Sequence, residues 1–505
     1  MRLNPLHTPP SIDWMVVSPV LAVSVGGVLA LLLAMFRPKA DNTAVIWTSL
    51  LALFGAGYAL VAQLPLPEAS TFGDMVYRDR LGLIAQLLIV ISTAVVILFS
   101  EQYLRARRIP FSEFYPLALW SSAGAMMMVS TKSLLMVFIG LEVLSIALYV
   151  MAGMAKQSNR SEESAIKYFL LGSFASAWLL LGIAYIFGTT GTLNIEAIAG
   201  AAVSDNALVR GPLLFGFSLL LIGLLFKAAL APFHQWTPDV YQGAPINVTA
   251  FMATVSKAAA VVTLLRVLNH ALPLKDFFIP ALTVVAMLTM IVGNIAALAQ
   301  TDVKRLMGYS SIANAGYLLV AILAHVKSPD QVPVTTTLFF LVAYAATTLG
   351  LFAILTLAAK DGKEETSFAD LNGLYHREPI LAVCLAILSF SLIGVPPLAG
   401  FLGKFLIFQD AIVAEQLPLA VVLAITSVIS IGYYLKVVRA TWVDEPQGEI
   451  STRSVLPGGA KFAALACTGI VVLLMILQTP VSKFISGSGQ PSAPLSASAN
   501  AQPDR

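Results

Sequence analysis

The stretch Leu225-Phe226-Lys227-Ala228-Ala229-Leu230-Ala231-Pro232-Phe233-His234 sets an ammonium group and a proline about a turn and a half apart inside an apolar run. Proline removes a backbone donor and opens a helix. The carbonyls it frees are tolerated at membrane depth only where they are buried in protein or face water. A charge at that depth is expensive, so such a residue pairs, lines water or carries function. Ile222-Gly223-Leu224-Leu225-Phe226 precedes Lys227 and leaves it no cheap route to the surface. A second stretch, Gly394-Val395-Pro396-Pro397-Leu398-Ala399-Gly400-Phe401-Leu402-Gly403-Lys404, has the same ingredients in the reverse order. Interrupted spans at corresponding places in two halves are the sequence mark of an inverted-repeat transporter.

The remainder of the chain agrees. Of its 505 residues 58% are hydrophobic and 11% charged, and a soluble protein carries roughly twice that share of charge. At about twenty apolar residues per span, the sequence predicts an all-α multi-pass membrane protein. It has about fourteen transmembrane helices, two inverted five-helix repeats and two discontinuous helices. The spans fall near 15–36, 44–64, 81–100, 113–130, 133–154, 165–188, 212–230, 245–269, 277–299, 304–325, 335–359, 379–409, 417–440 and 461–479. Residues 1–112 then hold the first three helices. The first repeat is 113–269 with its seventh span broken, and the second is 277–440 with its twelfth span broken. Residues 441–480 carry the last span, and 481–505, rich in Ser, Ala, Pro and Gly, read as a disordered tail. The first fourteen residues contain Pro, His and Asp and do not read as a cleavable signal peptide. Loop lysines and arginines favour one side of this topology by 16 to 9, among them Arg37, Lys39, Arg105, Arg107, Lys304, Arg305, Lys360 and Arg453. That side is expected to be cytoplasmic and both termini to lie outside.

Several function classes drop out. The net charge is +3 and the basic residues are scattered, which argues against nucleic acid. Cys384 and Cys467 lie in separate apolar runs and form no CxxC pair, so this chain alone supplies no cysteine-ligated cluster or zinc site. Neither a Gly-rich dinucleotide fingerprint nor a P-loop occurs. No cofactor is expected in this chain, and any redox chemistry or ATP hydrolysis is expected on another polypeptide.

The candidate residues are the costly charges and their polar neighbours. Glu142, in Val137-Phe138-Ile139-Gly140-Leu141-Glu142-Val143-Leu144-Ser145, is as deep as Lys227, and the two can form a buried ion pair. Such a pair reads either as a static register lock or as a working element. Lys257 lies in Val255-Ser256-Lys257-Ala258-Ala259-Ala260, among small residues that leave room for water, with no acid nearby in sequence. Lys404 reads as a pathway group beside the Pro-Pro break or as a span-end anchor. His234 follows Lys227 by seven residues, near the same helical face. It reads as a proton relay or a structural donor. Lys167 opens the sixth span, and both a relay and plain snorkelling fit it. The tenth span, Thr301 to Tyr317, carries small and polar residues at helical spacing, which is packing glue except at Ser311 and Asn314. Tyr344 is a candidate water-facing group, and Asp361 to Glu365 read as a solvated loop.

The stretches Phe226 to Pro245 and Thr249 to Ala260 closely resemble the proton-translocating antiporter-like family. Glu163 to Ala177 and Leu298 to Ala313 agree with it. Resemblance covers roughly residues 80–440. Within the family, Trp236-Thr237-Pro238-Asp239-Val240-Tyr241 departs from the L and M subunits of respiratory complex I and from the multi-subunit cation/proton antiporters. It resembles the N branch of bacterial NADH–quinone oxidoreductase (complex I). The resemblance implies a proton-translocating, non-redox subunit of that translocase, in the bacterial inner membrane. Its expected partners are neighbouring antiporter-like and small membrane subunits of complex I and the lipid bilayer. It also implies that Glu142 and Lys227 form a modulating pair, Lys257 the central proton carrier and Lys404 the terminal group of an exit half-channel, with His234, Lys167 and Tyr344 in supporting places. An Mrp-type cation/proton antiporter subunit and a purely structural membrane subunit are the competing readings.

Overall fold

A computed structural model of the chain describes residues 12–36, 42–109, 112–201, 207–356, 359–360, 363–364, 366–444 and 458–486. Arg37, Lys39, Asp361, Glu365, Arg453 and residues 487–505 lie outside the described residues. The described chain is almost wholly helical. Its first part runs α1 (Trp14–Phe36), α2 (Thr43–Gln63), α3 (Arg80–Ala106), α4 (Phe114–Val129), α5 (Leu134–Ala152) and α6 (Asn159–Thr190). A short α7 (Ile195–Ala201) precedes α8 (Ala207–Lys227), α9 (Trp236–Gly243), α10 (Ile246–Phe251), a π-helical turn (Met252–Ser256) and α11 (Lys257–His270). Then come α12 (Lys275–Leu298), α13 (Val303–Lys327), α14 (Thr335–Leu355) and two single turns, α15 (Phe368–Leu371) and α16 (Leu374–Arg377). The last part is α17 (Pro379–Ile393), α18 (Ala399–Val413), α19 (Leu417–Trp442), α20 (Gly458–Ile476) and α21 (Gln478–Ser486). Two short antiparallel hairpins, β1 (Ala69–Thr71) with β2 (Val76–Arg78) and β3 (Ala359–Lys360) with β4 (Lys363–Glu364), sit in connections.

Among the described residues twelve helical segments are long and apolar enough to cross a membrane, and α4 and α17 are shorter apolar helices. Both interruptions fall where the prolines require them. α8 stops at Lys227 and the chain resumes as α9 after Pro232. α17 stops at Gly394, whose φ of 92° only a residue without a Cβ adopts freely, and α18 starts beyond Pro397. The π-helical turn just before Lys257 is a third irregularity that no proline or glycine announces.

Polar side chains anchor other helix ends. Asp79 caps α3 by accepting from the Gly82 N–H, and Asp302 caps α13 by accepting from the Arg305 N–H at 2.9 Å. Residues 481–486, expected as the start of a disordered tail, are helical. α21 continues to Ser486, and Arg80 donates from Nε to the carbonyl of Ile485 at 3.1 Å, which ties this helix to the start of α3.

Burial sorts the helices into a centre and a rim. In the most apolar 18-residue stretch of the spans Ile246–His270, Val303–Lys327 and Thr335–Leu355, 100%, 94% and 94% of residues are buried, whereas in those of α1 and α2 only 33% and 28% are. Around this trio the helices meet through small residues. A Cβ on Gly124 would sit 2.6 Å from the Gly140 carbonyl oxygen, and one on Gly182 would sit 2.6 Å from that of Gly216. Without a hydrophobic force between helices in lipid, such close approach is what packing has to offer.

Gly140→Leu is therefore expected to destabilise the α4–α5 contact by about 1–3 kcal/mol or more through overpacking. Gly188→Ala, at a glycine of α6 with open space around it, is expected to be near neutral. Thermal unfolding of the assembled protein compares the two, and equal melting temperatures would contradict the packing.

Candidate functional site

Lys227 is the last residue of α8, and its Nζ donates to Ser145 Oγ at 2.7 Å and to the Tyr168 hydroxyl at 3.2 Å. The expected ion pair with Glu142 is not formed. No contact within 4.0 Å joins the two among the described residues. Glu142 is half-buried, and its buried Oε1 has no hydrogen-bond partner. The cause is the facing of α5. Glu142 lies at the edge of the outward stripe Ile139, Val143 and Ile146, while Ser145, one turn on, points inward and is 1% exposed. The ammonium is thus met by hydroxyls.

Lys257 follows the π-helical turn and donates to the Ser311 carbonyl oxygen at 2.5 Å. Its Nζ lies 5.7 Å from the Tyr344 ring centroid. Ser311 is a hub. Its hydroxyl accepts from Tyr344 at 3.1 Å and lies 3.4 Å from the Tyr241 hydroxyl. Aromatic rings join this hub to Lys227. Tyr168 stacks on Trp236 with centroids 4.7 Å apart, and Trp236 meets Tyr241 edge-on at 6.3 Å. The structure therefore brings Lys227, Lys257, Ser311 and Tyr344 into one polar column.

Lys404 lies a turn and a half into α18. Its Nζ donates to the carbonyl oxygens of Leu392 at 2.7 Å and Ile393 at 3.1 Å. These are the terminal carbonyls of α17, left over by the Pro-Pro break and aligned with the negative end of that helix. Tyr317 offers its ring 4.9 Å from the same nitrogen. A line of polar groups leads back to Ser311. Asn294 donates from Nδ2 to the Tyr317 hydroxyl at 3.1 Å and accepts from the Tyr433 hydroxyl at 3.1 Å. Tyr433 packs on Tyr434 at 4.4 Å, and Tyr434 bonds Ser310, the neighbour of Ser311.

His234 and Lys167 sit at the margin. His234 is half-buried in the break, with a buried Nδ1 that has no partner. It does not share a helical face with Lys227, because the helix ends between them. Lys167 is 42% exposed and pairs with Glu163 at 2.6 Å and Asp239 at 2.9 Å, and Asp239 also accepts from Arg305 at 2.6 Å. Asn314 donates from Nδ2 to the Ser310 carbonyl one turn back, and its buried Oδ1 lacks a partner. The solvated-loop expectation for Asp361 to Glu365 fails at Glu364, which is buried against Lys304 and Tyr103. Among the described residues no group of His, Cys, Asp or Glu is arranged to hold a metal ion.

Sequence reasoning missed Ser145, Tyr168, Trp236, Tyr241, Asn294, Tyr433 and Tyr434. Each is an ordinary packing residue by its local pattern. The one available signal was the crowding of hydroxyl-bearing residues near the costly lysines.

The family model described as "NADH:quinone oxidoreductase/Mrp antiporter, TM" matches residues 131–430, which span both breaks and all four costly charges. The chain belongs to this family. The NADH-quinone oxidoreductase subunit N of Trichlorobacter lovleyi is 38% identical to it over 440 residues, covering 87% of this chain and 89% of that one. The protein of the same name from Salinibacter ruber is 37% identical, covering 92% of each. Among solved structures, respiratory complex I from Thermus thermophilus with bound aureothin contains a chain 35% identical, with a TM-score of 0.78 over 92% of this chain and 98% of that one. A chain of the Mrp complex from a Dietzia species matches at a TM-score of 0.79 and 21% identity, over 94% and 96%, which is a likeness of fold alone. The three buried lysines and Ser311, Tyr317 and Tyr344 lie inside the matched region, and Tyr433 and Tyr434 lie just beyond its end.

Ser311→Ala and Tyr344→Phe remove the two ends of one hydrogen bond. Their destabilisations are expected to fall short of additivity by about 0.5–1.5 kcal/mol. Thermal unfolding of the single and double variants measures this, and strict additivity would place the two groups out of contact.

Proposed function

We propose that this chain is a proton-translocating membrane subunit of a bacterial NADH–quinone oxidoreductase, with no redox centre of its own. In this reading the complex is the enzyme and this chain is one of its transport modules, with the other membrane subunits as partners. The observation that carries it is the column itself: three buried lysines, Lys227, Lys257 and Lys404, linked through hydroxyl, amide and aromatic side chains, with Lys257 at its centre on the most buried helices of the fold. The names of the relatives and the resemblance of the Trp236–Tyr241 stretch support the oxidoreductase setting over a stand-alone cation/proton antiporter.

The topology in this proposal has fourteen spans, α8 with α9 and α17 with α18 each counting as one discontinuous span. Residues 113–269 and 277–440 are the two inverted units. The cytoplasmic side is the one bearing Arg105, Lys304 and Arg305, in the bacterial inner membrane, with both termini on the other side.

The mechanism is electrostatic. Lys227 rests on Ser145 and Tyr168, and Glu142 keeps an unpartnered oxygen. This is the separated arrangement of the modulating pair. A carboxylate brought to about 4 Å from Lys227 would interact with it by roughly 4 kcal/mol at intermediate dielectric. Drawing Lys227 towards Glu142 removes a positive charge from the neighbourhood of Lys257, and releasing it restores the repulsion. A proton on Lys257 is thereby held or expelled, and an expelled proton passes to Lys404 in its neutral amine form, whose resulting ammonium donates to the Leu392 and Ile393 carbonyls. Lys167 and His234 stay outside this line, Lys167 as half of a marginal ion pair.

Lys257→Ala and Lys227→Ala complexes, reconstituted in vesicles, are expected to assemble and oxidise NADH while moving fewer protons per NADH than the parent. A Lys257→Ala complex that pumps at the full ratio would overturn the proposal. Co-purification of the native chain with NADH dehydrogenase activity separates it from the antiporter reading.

A further inference from the structure

One buried acid is not used by the mechanism above. Glu364 belongs to the short hairpin after α14, yet its side chain is only 6% exposed and bonds both Lys304 and Tyr103. Arg107 Nε stands 3.6 Å away. Lys304, 1% exposed, also donates to the Ala244 carbonyl oxygen at 2.5 Å, and the Tyr103 hydroxyl accepts from the Ile246 N–H at 2.9 Å. The cluster therefore grips the turn from α9 into α10, the entry to the helix that bears Lys257.

Outward, Glu364 lines a polar cavity of about 260 Å³ with Arg107, Arg160, Gln242, Asp302 and Asp370. Inward, the same elements reach the column. α9 presents Gln242 to the cavity and, one residue earlier, Tyr241 to Ser311. On α13, Lys304 and Ser311 are seven residues apart, on one face and about 10 Å along the axis. Between them, α9 lies against α13 at Gly308, where an added Cβ would come within 3.1 Å of Pro238.

We propose that Glu364 is the proton-loading carboxylate of this chain: it takes a proton from water in the polar cavity and passes it towards Ser311 and Lys257, with Lys304 positioning it. In the loading step a proton from hydronium bonds to a carboxylate oxygen of Glu364, leaving water and a neutral carboxyl group. The attraction of that group to Lys304 falls and the grip on Ala244–Ile246 slackens. When the proton moves inward, the carboxylate and its ion pair re-form. No electrons are transferred. The inference rests on the proton-translocating reading of the column.

The test uses the assembled complex in vesicles and reads protons moved per NADH oxidised, so loss of assembly does not enter the ratio. Glu364→Gln keeps a hydrogen-bonding group beside Lys304 and Tyr103 but removes the proton-binding carboxylate. It is expected to show roughly half or more of the deficit of Lys257→Ala. A deficit in Lys257→Ala with a parental ratio in Glu364→Gln overturns this inference alone. A parental ratio in Lys257→Ala overturns the underlying reading instead. If Glu364→Gln does not assemble, Ser158→Cys in the cavity wall is labelled with a bulky thiol reagent after assembly. Loss of pumping, relative to the same reagent on the parent complex, is expected, and an unchanged ratio overturns the inference.

Discussion

An ammonium group inside a membrane protein needs oxygen, and in this chain the three deepest ones find it on neutral groups. Ser145 and Tyr168 hold Lys227, the Ser311 carbonyl holds Lys257, and two terminal carbonyls of α17 hold Lys404. A carbonyl inside a regular helix already accepts one N–H and can take a second donor on its other lone pair, as that of Ser311 does from Lys257. The Gly394–Pro397 break gives Lys404 more, two carbonyls at a helix end that no helical N–H claims. Those partners are what make its burial tolerable.

The same need shapes the surroundings. The helices that carry Lys257, Ser311 and Tyr344 are the most buried in the fold, yet hydroxyls line the space among them. Tyrosine suits that position because its ring packs as an apolar body while its hydroxyl donates and accepts. Tyr168, Tyr241, Tyr317, Tyr433 and Tyr434 keep the core dense and polar at once. Asn294 orders the end nearer Lys404 by binding a tyrosine on each side.

Much of this was legible in the sequence, and the limit falls at a definite physical place. The spans follow from runs of apolar residues, the two breaks from Pro232 and from Pro396-Pro397, and the costly charges from their position inside those runs. These are local properties, written within about twenty residues. What was not legible depends on which faces meet. Ser145 rather than Glu142 reaches Lys227 because α5 turns Glu142 towards its outward stripe, a rotation that an evenly apolar helix does not encode. Glu364 stands in a run of charges that looks solvated, and its partners Lys304 and Tyr103 are 60 and 261 residues away. The tyrosine column is hidden for the same reason, since single tyrosines in long apolar runs look like packing.

Carboxylates are kept to the margins of this arrangement, Glu142 at the outward edge of α5 and Glu364 in the hairpin after α14, beside the start of α13, and that placement has a consequence. A carboxylate beside Lys257 or Lys404 would bind the charged ammonium far more tightly than a carbonyl dipole does and hold it there. With neutral ligands inside, the interaction between the lysines themselves becomes significant. Two unit charges about 10 Å apart still interact by roughly 1.7 kcal/mol at an effective dielectric of 20, more than a tenfold change in an equilibrium. A charge that arrives or leaves at the margin is then felt along the column without any large movement of the helices. Neutral ligands inside and acids outside are the division that lets an electrostatic signal travel through a densely packed core.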